Sequence, residues 1–289
     1  MAQIVANSGV GLTLTLGEGP GWNARTGQFS CVDIVGKTIY VFGVNRQKLD
    51  VLRTIDTPTE VGAALPLDDG SFISCERAGI FRIQPDDSRT LVAPLPVSDP
   101  AFRCNDAKIG PDGRVWVGVM HEDAVEGAGS LWAIDSSGAS TCLLEGLTIP
   151  NGMDWWDDCF WFVDGPTPEI RKYRVSDGKL TETGEKVATP TTPDGFTMDS
   201  DGNMWLAIWG GGQVVCLSQE GATLHTVSVA SPHTTSTCLI DDTLMITSAT
   251  LALDHDALAS HPQAGDIFVA HVPARGRPAF SEFLPARPL

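Results

Sequence analysis

Two stretches decide the fold: NDAKIGPDGRVWVGV, starting at Asn105, and DGFTMDSDGNMWLAI, starting at Asp194. Aligned from their first residues, both open on a polar side chain and carry an Asp-Gly pair seven and eight positions on (Asp112-Gly113, Asp201-Gly202). Both then place a Trp eleven positions on, at Trp116 and Trp205. The same template fits from Glu18, where Arg25 begins the turn and Phe29 takes the aromatic place, and from Val61, with Asp68 and Phe72. From Asn151 it gives Asp158 and, one place early, Trp161; a weaker copy near Thr234 gives Asp241 and Met245. The starts at 18, 61, 105, 151, 194 and about 234 recur at roughly 40 to 46 residues, the length of four short strands with tight turns.

Working outward, short runs rich in Val, Ile, Phe and Trp lie between Gly, Pro, Asn and Asp clusters. They are Gly79–Ile83, Val115–Met120, Ser130–Ile134, Phe160–Asp164, Met204–Ile208 and Gln213–Leu217. Such runs, evenly punctuated, read as strands. One short helix is expected, Asp254–Ser260, closed by His261-Pro262. The Asp-Gly pairs suit hairpin turns because they tolerate positive φ, and the following Trp or Phe is expected to pack between blades. The reading is all-β: a six-bladed β-propeller in one domain, residues 1–289, with a metal site in its central channel.

Composition sets outer limits. The chain has 289 residues, 42% of them apolar, so a sizeable core can form. Its 36 acids against 19 bases give a net charge of −17. That excludes nucleic acid and anionic membrane as default partners, because both need a basic face to displace counterions. The seven cysteines (31, 75, 104, 142, 159, 216 and 238) show no CxxC spacing, so they read as buried small hydrophobes and not as a disulfide framework or zinc ribbon. Residues 1–16 lack a basic stretch and a continuous apolar run, so no secretory signal is read there. The expectation is a soluble, cytoplasmic protein; the oligomeric state is not legible.

The repeat also has a geometric consequence. Equivalent positions in a propeller form a ring around the axis, so the template's first position brings together Glu18, Val61, Asn105, Asn151, Asp194 and a hydroxyl between Thr234 and Thr237. Two carboxylates held together away from water repel unless a cation neutralises them. Hard oxygen donors suit Ca²⁺, Mg²⁺ or Mn²⁺, with Zn²⁺ or Fe²⁺ at lower coordination. Arg103, two residues before Asn105, shares its face on a strand; a guanidinium there can hold substrate oxygens. The loop after Val115–Met120 opens with His121, Glu122 and Asp123 and continues Gly-rich, as a lid would. No GxSxG elbow and no HExxH is present.

At LGEGPGW (16–22), RCNDAKIGPDGRVWVGVM (103–120), IPNG (149–152), PDGFTMDSDGNMW (193–205) and LASHPQAGDIFV (258–269), the sequence resembles the gluconolactonase family that includes regucalcin, also called senescence marker protein 30. The resemblance covers essentially the whole chain. It implies a six-bladed propeller with one divalent cation held by Glu18, Asn151 and Asp194. It also implies substrate contacts from Arg103 and Asn105. The family has an acid just after its GxM strand, and Asp123 stands at that position, with His121 and Glu122 as alternatives. The implied reaction is hydrolysis of a sugar lactone to the aldonic acid, with Asp194 as the catalytic proton acceptor. Phosphotriester or aryl-ester hydrolysis on the same site, or a non-catalytic calcium-binding propeller, are the alternatives.

Overall fold

The computed structural model describes residues 4–45, 48–176 and 179–285; the extreme ends of the expected 1–289 domain lie outside the described residues. The strands form six sheets. Five contain four consecutive strands, spanning Gly17–Asp56, Val61–Ala93, Phe102–Leu147, Pro150–Ala188 and Thr192–Ser228, and the last of these adds Ile4–Val5 as a fifth, outermost strand. The sixth holds His233–Ile240, Thr243–Ala249 and Phe268–His271 and takes its outer strand, Asn7–Ser8, from the other end of the chain. The innermost strands are Gly17–Asn23, Val61–Pro66, Phe102–Ile109, Pro150–Trp156, Thr192–Met198 and His233–Ile240. Each contacts the next, and the sixth contacts the first, so the blades close into a ring. Every repeat start lies on an innermost strand, as the template requires. The strand expected at Gly79–Ile83 is observed with those bounds, and the one at Val115–Met120 extends to His121. The helix forms at His255–Ser260, where the Asp254 carboxylate caps it by accepting from the Ala257 N–H at 2.8 Å.

The core is not central. Buried apolar side chains fall into six clusters, each drawn chiefly from two neighbouring blades. A blade is apolar on both faces and must bury both, so only a closed circle of blades satisfies all of them. Trp116 and Trp205, the template's aromatic residues, are fully buried in two of these clusters. Their indole N–H groups donate to the turn carboxylates of Asp112 and Asp199, a tie absent from the packing expectation. All seven cysteines are free, and five are buried. Among the described residues no helix is long and apolar enough to cross a membrane.

The circle closes where the two ends of the chain meet. Asn7 and Ser8 pair with Val269 and Phe268, while Ile4 and Val5 pair in parallel with Val227 and Ser228 of the fifth blade. The buried Asp266 carboxylate fastens this junction by accepting from Ser8 Oγ, from the Gly11 and Leu12 N–H groups (3.0 and 3.1 Å) and from its neighbour Ile267 (2.8 Å). Beyond the sixth blade the chain crosses the far side of the ring. The Ser200 N–H donates to Arg275 O (2.8 Å), and Leu284 exchanges backbone hydrogen bonds with Gly113 and Ser136 of the third blade. Replacing Asp266 by Ala leaves those N–H groups without their charged acceptor and should lower unfolding free energy by about 3 kcal/mol. Urea unfolding measures it, and a loss below 1 kcal/mol would show that the Asp266 clasp is not what closes the ring.

Candidate functional site

Each innermost strand carries a register shift at its repeat start. The shifts fall between Glu18 and Gly21, Val61 and Ala63, Cys104 and Ala107, Pro150 and Met153, Pro193 and Phe196, and Thr234 and Ser236. A bulge re-aims the side chain that it releases from the ladder, and here it does so at one level in all six blades. Gly62, Gly152 and Gly195 follow their repeat starts for a steric reason. A Cβ at Gly152 would lie 2.5 Å from Asp194 O, one at Gly195 2.1 Å from Ser236 Oγ, and one at Gly62 2.4 Å from Asn105 O. Glycine lets successive innermost strands touch at this level.

Glu18, Asn151 and Asp194 are all buried. The Asn151 Nδ2 group donates a short hydrogen bond to Asp194 Oδ1, while its Oδ1 is buried without any hydrogen-bond partner. An orphaned buried carbonyl oxygen is uncommon in a folded protein. Here it stands beside two acids whose titration is displaced. Burial, then the charges of Asp194 and Asp106, holds the Glu18 carboxyl well above its usual range. Burial and the Asp106 charge do the same to Asp194. Among the described residues no three His, Cys, Asp or Glu side chains group closely enough to hold an ion by themselves. The donor set is two carboxylates and one amide oxygen, and an unpartnered oxygen beside mutually repelling acids fits a hard divalent cation.

Arg103 and Asn105 lie together on the third blade. Arg103 Nη1 donates to Asn105 Oδ1 and to Cys104 O, both at 2.9 Å, and Asn105 Nδ2 donates across to Pro150 O at 3.0 Å. Asn105 is thereby fixed against the strand that carries Asn151. The loop candidates separate. The Asp123 side chain is 85% exposed, facing His121 at 4.0 Å. Glu122 pairs with Arg77 at 3.1 Å, and its charge is felt at Arg103. Of the two loop acids, Glu122 is the one whose charge reaches Arg103, while the Asp123 side chain faces solvent.

Asp106 escaped the sequence reading. It follows Asn105 where the first, second, fourth and fifth blades have glycine (Gly19, Gly62, Gly152 and Gly195), and that departure from the repeat was its signal. The residue is 7% exposed, and its carboxyl accepts from the adjacent Ala107 N–H at 2.7 Å. Burial raises its titration, partly offset by Lys108. Below the ring a cavity of about 120 Å³ occupies the channel, bounded by Gly19, Asp106 and Ser236 nearest the ring and by Lys108, Arg277 and Phe280 further down. Arg277 closes that far end by pairing with Asp154 at 3.0 Å and lying over the Trp156 ring at 5.2 Å. The cavity is thus the lower channel and not the carboxylate site, since Glu18, Asn151 and Asp194 do not line it.

The family described as SMP-30/Gluconolactonase/LRE-like region matches residues 16–250. The chain belongs to this family. It is 29% identical to the pentonolactonase XacC of Haloferax volcanii, over 92% of this chain and 94% of that one. It is 28% identical to regucalcin of Danio rerio, again over 92% and 94%. The fold superimposes on the crystal structure of a calcium-binding protein, regucalcin, from Agrobacterium tumefaciens strain C58, with a TM-score of 0.86 at 25% identity, covering 99% of this chain and 100% of that one.

The two displaced acids make stability depend on pH in a definite direction. With their folded-state titration raised above the unfolded value, Glu18 and Asp194 stabilise the fold below the ordinary carboxylate range, and that contribution is lost as pH rises through the raised range. In the presence of chelator, the melting temperature should therefore fall between pH 5 and pH 8. The Glu18→Gln, Asp194→Asn double variant should lose less across the same interval, as thermal melts of the two proteins would record.

Proposed function

We propose that the chain is a metal-dependent sugar lactonase, a carboxylic ester hydrolase that opens aldonolactones to aldonic acids, with one such site in the 1–289 propeller. The observation that carries the reading is the pair of buried, mutually repelling carboxylates, Glu18 and Asp194, beside the orphaned Asn151 Oδ1. Membership of a family with a pentonolactonase relative supports the lactone, and the regucalcin neighbour described as calcium-binding supports the cation. Glu18, Asn151 and Asp194 would hold a divalent cation, Ca²⁺, Zn²⁺, Mn²⁺, Mg²⁺ or Fe²⁺. When bound, it supplies Lewis-acid stabilisation of the negative charge that develops on the lactone carbonyl oxygen.

The chain's own groups perform the remaining tasks. Asp194 takes a proton from the attacking water as its oxygen adds to the carbonyl carbon. The bond from that carbon to the ring oxygen then breaks, the ring oxygen receives the proton, and the aldonic acid results. Arg103 and Asn105, locked to each other, orient the lactone oxygens, and the guanidinium adds charge-assisted hydrogen bonds. Glu122 contacts ring hydroxyls from the rim, a task for which the sequence favoured Asp123. The small-molecule sugar lactone is the partner in this reading. The protein acts as a soluble, cytoplasmic enzyme.

Asp194→Asn should lower kcat for lactone hydrolysis by at least about a hundredfold. Chelation of the wild type should abolish turnover, and a divalent cation should restore it. Acid release from a panel of sugar lactones, phosphotriesters and aryl esters measures all three. Turnover that survives both the substitution and chelation would overturn the assignment. Arg103→Ala should raise KM more than it lowers kcat, because the guanidinium contacts substrate oxygens in the ground state as well as the transition state.

A further inference from the structure

The channel mouth has a second wall. In blades three to six the last paired residue before the bulge is Cys104, Pro150, Pro193 and Thr234. The residue preceding each is Arg103, Ile149, Thr192 and His233. Blades three and six are separated by two blades in either direction around the ring, so His233 occupies Arg103's own position on the opposite side of the mouth.

His233 is not an ordinary surface histidine. Its ring lies flat on Trp209, with centroids 4.1 Å apart and planes 14° from parallel. Trp209 pairs with Thr192, two residues before Asp194, and packs against the cluster containing Leu16 and Ala249. Leu16, two residues before Glu18, bridges to Ala249, which in turn pairs with His233. The aromatic pair therefore occupies the rim between the strands that bear the two acids. His233 Nδ1 is buried with no hydrogen-bond partner, and burial holds the imidazole below its usual titration range. A neutral imidazole keeps one donor and one acceptor nitrogen. An unmatched buried nitrogen is uncommon, and it leaves the ring's polar exchange with a ligand to the part-buried face that the stacked imidazole presents at the mouth.

We propose that His233, fixed on Trp209 across the mouth from Arg103, is a specificity-determining residue that hydrogen-bonds a hydroxyl of the bound lactone and selects polyhydroxylated lactones over unsubstituted ones. The proposal rests on the lactonase reading. Arg103 anchors the oxygens near the acids, and His233 reads the hydroxyl-bearing part of the molecule that extends toward the sixth blade. A site built to hydrogen-bond a substrate hydroxyl rejects the analogue without it, because the site's own polar group is then left unpaired.

The test compares D-glucono-1,5-lactone with δ-valerolactone, the same six-membered ring without hydroxyls, at saturating divalent cation. His233→Phe keeps a flat ring on Trp209 and removes both nitrogens; His233→Gln restores a hydrogen-bonding group. His233→Phe should raise KM for gluconolactone about tenfold, the value of one hydrogen bond, with kcat little changed. Its kcat/KM for valerolactone should stay at the wild-type value, and His233→Gln should recover part of the loss. Equal losses on both lactones, or no loss on either, would overturn the role of His233 while leaving the lactonase reading intact. A wild type that hydrolyses neither lactone would overturn both.

Discussion

The constraint on which everything else depends is that a blade of this protein is apolar on both faces. A two-layer domain buries one face of each sheet and wets the other. Here the buried side chains belong to the seams between blades, so removing any blade would expose two seams at once. The stable arrangement is a closed circle, and a circle of sheets leaves its axis open. The channel is thus a by-product of core packing, and the candidate site groups are those that packing leaves along it. The clasp of Asp266 on the N-terminal segment matters for the same reason: with the strand pairing of Asn7–Ser8, it joins the first and last stretches of the chain.

Much of this was legible because a repeat states its own geometry. The Asp-Gly turns and the aromatic residue eleven positions from each start locate a hairpin and a seam. Six near-equal spacings then count the blades. The carboxylates Glu18 and Asp194 were found as coincidences of repeat position, lying 176 residues apart in no linear motif. The elements that close the ring from outside the repeat were illegible. Ile4–Val5 and Asn7–Ser8 are two-residue strands, too short for any periodicity, and their partners lie more than 200 residues away. The chain after His271 crosses the far side through backbone hydrogen bonds and the Arg277 contacts, which no hydropathy pattern announces. In the loop after the third blade's second strand, counting positions favours Asp123, whereas the turn exposes that side chain and directs Glu122 to Arg77. Loop geometry, not strand register, decides there.

The most informative residues are those that break the repeat. Gly62, Gly152 and Gly195 show what the fold prefers after a repeat start: no side chain, because the next innermost strand stands within van der Waals contact. The third blade puts Asp106 there instead, adding a buried carboxylate to a channel that already contains two. Burying like charges together is unfavourable, and the Ala107 N–H and the Lys108 charge offset it only in part. Lys108, two residues further down the same strand, meets part of that charge, but it is itself engaged by Phe196 O at 2.9 Å and Asp154 at 3.5 Å. The negative potential therefore remains concentrated at the ring end of the channel. A fold maintained for stability alone would place glycine at 106 and an amide at 194. It instead gathers buried acids there, each held by a neighbouring backbone N–H group and set beside an amide oxygen left without a donor, while the other end of the channel is closed by the chain's own tail.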